Sequence, residues 1–551
     1  MNRRRGFGFH GGIEPNSYKS ETTRLPIRVA PISEELVVPL HQNIGGTPRP
    51  LVRVGEYVFK GQRIGAADGN ISAAVHAPTS GHVTALELRQ VPHASGLADP
   101  VVVIRADGED AWMAPEPFDW RAAPPDAVRD YLRDAGVVGL GGAVFPSHLK
   151  MRPGDADAID TLILNGAECE PFITCDDLLM RERAATILRG ASILARLTGA
   201  RETLVGIEDN KPEAIAAMRQ AGAGMAGVEV VVLPTRYPTG GAKQLIRALT
   251  GIEVPHGARS TEFGVQCFNV GTAHAVADAL ERGRPLISRI VTVAGAVRTP
   301  RNYEVLIGTP VRELLADAGM MAGVERVLMG GPMMGFALPG YAVPVVKATN
   351  CLIAWTPGLL PEQPEERPCI RCGACAEVCP ADLQPLELYW YARGNQFGKA
   401  QEYGVFDCIE CGCCAYVCPS NIRLVDYYRY AKSEIWASER DKARADAARA
   451  RFDARNARIE REKSERAARV AAKTAASRAA VSAIPDASAD GVSEPSVSNA
   501  GPASGSEAAK HALIAQALAR VRARQAGQDV ADDPGGAAGA HQPGDTGHTT
   551  S

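Results

Sequence analysis

A chain of 551 residues exceeds what one hydrophobic core can serve, so several domains are expected. Its 60 Lys and Arg against 63 Asp and Glu leave a net charge of −3, which gives no electrostatic reason to expect a nucleic-acid partner. No apolar run approaches the ~20 residues of a membrane span, and thirteen cysteines, many in metal-binding spacing, point to a reducing compartment.

The chain opens Met1-Asn-Arg-Arg-Arg, a pattern shared with twin-arginine export signals. Gly11-Gly-Ile-Glu-Pro follows in place of a hydrophobic stretch, so no signal peptide and a cytoplasmic location are expected. Residues 35 to 107 alternate short Val/Leu-rich runs with glycine turns, an all-β pattern. Within them, Val54 to Gly65 followed by Val75 to Val83 resembles the barrel-sandwich fold of lipoyl and biotinyl carriers. Such carriers need a lysine at the hairpin tip between the halves. Ala66 to His76 contain none, so a docking domain is expected instead of a swinging arm.

From about Pro125 helices and strands alternate, with candidate strands at Thr161–Leu164 and Val228–Leu233, the pattern of an open α/β sheet. Its entrance is glycine-rich: GVVGLGGAVFPSHLK from Gly136 to Lys150. Small residues let backbone N–H groups reach a phosphate, and a following lysine supplies charge. Glycine turns without ligands are as common, so the loop needs a second signal. Directly after the strand comes Asn165-Gly-Ala-Glu168-Cys-Glu170-Pro171, polar side chains where open α/β sheets bind ligands. A solvated turn is the plainer reading of two such close carboxylates.

Residues 289 to 340 form a smaller unit: a strand from Ile290, a helix from Val311 to Ala316, then Gly330-Gly-Pro-Met-Met-Gly. Met333 and Met334 suit either a partner surface or a core. Cys169, Cys175, Cys267 and Cys351 lack ligand spacing and read as ordinary buried thiols.

Eight cysteines then repeat one pattern, C-x2-C-x2-C-x3-C-P: Cys369, Cys372, Cys375 and Cys379, then Cys408, Cys411, Cys414 and Cys418. Two-residue gaps let one tight loop wrap three corners of a cuboidal cluster, with Gly373 and Gly412 permitting close approach. The proline ends the loop and turns the fourth thiolate away. This is the spacing of bacterial two-cluster ferredoxins, in which the fourth cysteine ligates the other cluster. Two [4Fe–4S] clusters are expected, Cys369, Cys372, Cys375 with Cys418 and Cys408, Cys411, Cys414 with Cys379. Structural zinc would leave the third and fourth cysteines of each motif surplus. Cys413 falls outside the spacing and reads as a packed bystander. Leu386–Ala392, Lys399–Tyr403 and Leu424–Ala431 look helical, so this module is a helical one.

Ser438 to Ser477 mixes Arg, Lys, Glu, Asp and Ala, the mark of a helix polar on every side. Pro485 to Ser506 reads as disordered. Leu513, Ile514, Ala517, Leu518 and Val521 form a short apolar stripe beside three arginines, suited to a membrane surface or a partner, with a marginal helix in a disordered tail as the default.

The order GxGGAxFPxxxK, NxxExEP, YPTGGxKQLI, NVGT resembles the flavin- and NADH-binding subunit of respiratory complex I. With the barrel-sandwich and both cysteine motifs added, the chain from Phe7 to Tyr430 resembles the C-subunit family of Rnf-type ion-translocating electron-transport complexes. The resemblance implies FMN and NAD(H) beside the two clusters. It places Gly139, Gly141, Gly142, Ala143 and Lys150 on FMN, with Asn165 and Glu168 near its ring and ribityl chain. Phe145 and Glu170 would face the nicotinamide nucleotide. Tyr237 and Gly240 match the family's tyrosine loop, and Asn269 with Thr272 its second flavin segment. The sequence departs from complex I flavoproteins at Ala167, where they carry aspartate, at Val144, where glycine is frequent, and at Gly241-Ala242-Lys243, where they continue Glu-Glu.

The implied architecture is multidomain α/β and α+β. It comprises a barrel-sandwich hybrid at 1–115, an FMN/NADH domain at 125–287 and an SLBB-like β-grasp domain at 288–345. A two-[4Fe–4S] ferredoxin-type domain at 360–435 and a charged, then disordered tail at 436–551 follow. A flavin converts a hydride pair into single electrons, so the implied role is electron input to a membrane-bound complex. Its partners would be the other subunits and, directly or indirectly, ferredoxin or another low-potential carrier, on the cytoplasmic face of the bacterial inner membrane. The alternatives are a soluble corrinoid reductase of the propanediol-utilisation type and a non-catalytic iron–sulfur relay.

Overall fold

The computed structural model describes residues 6–114, 118–151, 159–255, 257–359, 364–482, 512 and 514–519. The N-terminal domain is a sandwich of two antiparallel sheets. Glu35–Pro39, Ala98–Ala106, Gly81–Gln90 and Tyr57–Val58 pair in one; Arg49–Pro50, Arg63–Ala66 and Val75–His76 pair in the other. Alternation sends Val38, Val58, Ile64, Val83, Val102 and Ile104 inward, all fully buried.

The α/β domain carries four parallel strands: β1 (Thr161–Gly166), β2 (Glu202–Glu208), β3 (Val228–Leu233) and β4 (Val265–Asn269). Their order is β3-β2-β1-β4. The chain therefore leaves β1 toward one side of the sheet and later returns on the other, which opens a crevice between the carboxyl ends of β1 and β4. Successive residues of β1 face opposite layers. Leu162 and Leu164 pack with helices α1 (Cys175–Thr198), α2 (Pro212–Ala221) and, across Gly190, α4 (Val270–Arg282). Ile163 packs with α3 (Ala242–Thr250).

A six-stranded sheet follows, built on Ser288–Gly295, Arg301–Leu306, Arg326–Met329 and Phe336–Ala337. It draws in two strands from outside the expected span. Cys351–Trp355 lies parallel to Ser288–Gly295, and Arg28–Val29 lies parallel to Arg301–Leu306. Ser288–Gly295 is buried along most of its length, so its backbone groups need a ladder on both sides. Where three domains meet, the buried Lys347 donates to the carbonyls of Ala74 (3.0 Å) and Gly136 (2.7 Å).

The cysteine-rich module is helical, with Pro385–Arg393 and Phe397–Glu402 between the motifs. A helix from Leu424 to Ser482 follows; its first turns bury Val425, Tyr428, Ala431 and Ile435 at helical spacing. From Ala450 the chain forms a separate unit. There Ala450–Ser482 is helical and exposed almost throughout, as its uniform polarity requires. Pro485 to Ser506, Leu513 and Val521 lie outside the described residues. Ile514, Ala517 and Leu518 sit in a short exposed helical stretch.

Candidate functional site

The glycine loop is a hairpin across the crevice mouth. Gly139 N–H donates to the Phe145 carbonyl (2.8 Å) and Ser147 N–H to that of Val137 (3.2 Å). Its base is pinned to α4, because Leu140 N–H donates to the Thr272 hydroxyl at 2.9 Å. Gly141, Gly142 and Ala143 stay exposed, and a side chain on Gly142 would meet open space. Val144 is held at φ 43°, a region costly for a β-branched residue.

Asn269 ends β4 and caps α4, its Oδ1 accepting from Gly271 N–H (2.8 Å) and Thr272 N–H (3.4 Å). Its Nδ2 donates to Asp176 at 2.6 Å, joining the starts of α4 and α1. Asn165 is the penultimate residue of β1, with Oδ1 accepting from Ala167 N–H (3.1 Å) and Nδ2 donating to the Gly240 carbonyl (2.9 Å). The Glu168 carboxylate accepts from Asp176 N–H (2.7 Å) and Asp177 N–H (3.2 Å), the first N–H groups of α1. Burial nevertheless pushes its pKa up to about 8, against the pull of Lys19.

The structure thus gathers the glycine loop, Asn165, Glu168, Gly240, Asn269 and Thr272 around one crevice. Lys150 reaches β4, the strand that Asn269 ends. Its ammonium donates to the Cys267 carbonyl (2.5 Å) and sits 5.0 Å over the Phe268 ring, and burial lowers its pKa.

Lys19 is the residue that sequence reasoning missed. Its buried ammonium donates to the carbonyls of Glu168 (2.8 Å), Glu170 (2.8 Å) and Ile173 (2.5 Å), gathering the carboxylate turn around one cation. It comes from a segment with no motif, more than a hundred residues from its partners.

The two cysteine motifs share one backbone. Arg371 and Glu410 adopt φ 54° and 58°, and Gly373 and Gly412 adopt 81° and 80°. That left-handed turn is what wraps each loop inward. Arg371 N–H points at the Cys369 sulfur and Glu410 N–H at that of Cys408, each at 3.4 Å. Cys369, Cys372, Cys375 and Cys418 line one cavity; Cys379, Cys408, Cys411 and Cys414 line another. Four thiols on a cavity with inward N–H donors suit a [4Fe–4S] cluster. Cys372 is exposed, whereas Cys379, Cys411 and Cys414 are buried. Cys413 packs beside Tyr237 and Ile13.

Crevice and second motif touch. The Tyr237 hydroxyl donates to the Cys411 carbonyl at 2.7 Å. Glu170 Oε1 accepts from Met333 N–H (2.8 Å) and Met334 N–H (3.1 Å), and burial raises its pKa. Met333 in turn packs against the Cys411–Cys413 loop, while Met334 is exposed. The paired methionines thus divide between interface and surface.

Family models match along the chain in register with these domains. Residues 7–109 match an RnfC barrel sandwich hybrid domain and 132–278 a Nuo51 FMN-binding domain. Residues 290–337 match an SLBB domain and 368–422 a 4Fe-4S dicluster domain. Over 463 residues, 84% of its length, the chain is 51% identical to the C subunit of the ion-translocating oxidoreductase complex of Pseudomonas aeruginosa. The chain belongs to the RnfC family. It is likewise 49% identical over 464 residues to the Klebsiella pneumoniae counterpart, and it spans 60% and 61% of the length of these two relatives. Among solved structures it is similar to an NAD+-reducing [NiFe]-hydrogenase in its air-oxidized and H2-reduced states. Identity is 21% in each, with TM-scores of 0.41 and 0.40 over 57% of this chain and 61% of that one. This RnfC chain therefore combines an FMN-binding domain with a 4Fe-4S dicluster domain, the architecture its motifs imply.

Proposed function

We propose that this RnfC chain passes electrons between NADH and partner subunits of a membrane-associated, ion-translocating oxidoreductase complex, by way of FMN and two [4Fe–4S] clusters. Bound FMN supplies the conversion between a hydride pair and single electrons. The chain's own residues hold and insulate that exchange. Gly139, Gly141, Gly142 and Ala143 present backbone at the crevice mouth, and Asn165, Glu168, Asn269 and Thr272 form its floor. Phe145 flanks the mouth where a nicotinamide would enter. Cys369, Cys372, Cys375 and Cys418 would hold one cluster and Cys379, Cys408, Cys411 and Cys414 the other.

The observation that carries this reading is the contact between crevice and second motif through Tyr237, Glu170 and Met333. It supports an order: flavin, buried second cluster, then the first cluster, whose exposed Cys372 and Ile370 face a partner. No helix among the described residues is long and apolar enough to cross a membrane, so ion transport itself falls to the partners. Anaerobic stopped-flow mixing with NADH tests the reading. The expected result is bleaching of flavin and cluster absorbance together. Glu170 favours a second reading, a relay without nucleotide chemistry, because its carboxylate already serves the Met333 and Met334 N–H groups. Clusters that stay oxidised under NADH yet reduce with dithionite would favour that relay.

A further inference from the structure

We infer that Tyr237 is a positioning residue for the second cluster, fixing the Cys411 loop and raising that cluster's reduction potential through its hydroxyl. The inference rests on the two-cluster reading above. Tyr237 is 2% exposed, its ring enclosed by Ile13, Cys169, Met333, Cys411 and Cys413. Its backbone is tied on both sides to Ile13, donating to the Ile13 carbonyl (2.9 Å) and accepting from the Ile13 N–H (2.8 Å). The ring therefore has no room to swing toward the crevice mouth and stack on a nucleotide.

The hydroxyl is engaged as well. At 2.7 Å it donates to the carbonyl of Cys411, a residue of the second cluster's thiol set. The loop itself permits the close approach: a side chain on Gly412 would lie 3.0 Å from the Met333 carbonyl. A hydrogen bond donated to a ligand's carbonyl offsets the partial negative charge of that oxygen beside the cluster and so favours the cluster's reduced, more negative form. Among the described residues, the first motif's cysteine carbonyls receive no such tyrosine. The asymmetry makes the second cluster the better acceptor for electrons leaving the flavin, in the position where the fold places it.

The test is an anaerobic redox titration of the full chain, read by electron paramagnetic resonance on wild type, Y237F, and protein carrying 3-fluorotyrosine at 237. Y237F keeps the ring and loses the donor. It is expected to make the second cluster about fivefold harder to reduce, about 40 mV at 59 mV per tenfold for one electron. The first cluster should be unmoved. The fluorinated ring, a stronger donor of the same shape, should shift the second cluster the other way. A second-cluster potential unchanged in both variants, with the KM for NADH raised, would overturn the inference and make Tyr237 a nucleotide contact. Wild-type protein lacking two cluster signals would instead sink the underlying electron-transfer reading.

Discussion

Lys19 shows how much of the site depends on a single side chain. Three carbonyls of the carboxylate turn converge on its ammonium, beside the half-buried Glu168. Removing the cation leaves those carbonyls unsatisfied, so K19M should destabilise the chain by about 3 kcal/mol. It should also release flavin, with chemical denaturation and flavin fluorescence as readouts and K19R recovering part of both. Nothing in the sequence around Lys19 marks this role, since the turn it serves lies more than a hundred residues away. Asn165, Glu168 and Asn269 were legible because each lies at or just past the end of a β-strand within a short recurrent motif. What the motifs did not convey is that these side chains first satisfy the backbone, Glu168 and Asn269 by capping α1 and α4 and Asn165 by tying Ala167 to Gly240. Glu170 is the sharpest case: expected at a nucleotide, its carboxylate binds the Met333 and Met334 N–H groups.

At the scale of elements, periodicity and punctuation read well. Short apolar runs marked β1 and β3, and the two C-x2-C-x2-C-x3-C-P motifs gave matching loops. Which thiols share a cavity was legible only because the proline ends each loop at its fourth cysteine. Exchanging Cys379 for Ser should therefore remove the signal of the second cluster, although Cys379 belongs to the first motif. Exchanging Cys418 for Ser should remove that of the first, both read by electron paramagnetic resonance. Loss of the motif's own cluster in each case would contradict crossed ligation. Helix packing offers another test. A side chain at Gly190 would lie 1.8 Å from the Ala273 carbonyl, where α1 meets α4. Because that neighbour is backbone, G190A should cost about 3 kcal/mol of stability in denaturant titration.

Across the whole molecule, the joints between domains were the least legible part. The sheet around Ser288–Gly295 recruits Arg28–Val29 and Cys351–Trp355 from either side of its own span, and two-residue strands carry no periodic signal. Lys347 likewise sits in an unremarkable loop, yet binds Ala74 and Gly136 from two other domains. Burial lowers its pKa to about 7 from an ordinary 10.5. The unfolded chain then binds more protons than the folded one between these values, so this group makes stability rise from pH 7 toward 10.5. Below about pH 7 both states are charged and its contribution is constant. K347M should flatten that rise, measured as the difference in Tm between about pH 7 and about pH 9.

The proposed electron transfer requires one arrangement, a flavin crevice in contact with the buried member of a cluster pair. Electron paramagnetic resonance of anaerobic protein mixed with NADH alone tests it most directly. Signals from two reduced [4Fe–4S] clusters, arising after the flavin bleaches, are the predicted result. A bleached flavin beside clusters that stay silent, or zinc in place of iron on these thiolates, would contradict it.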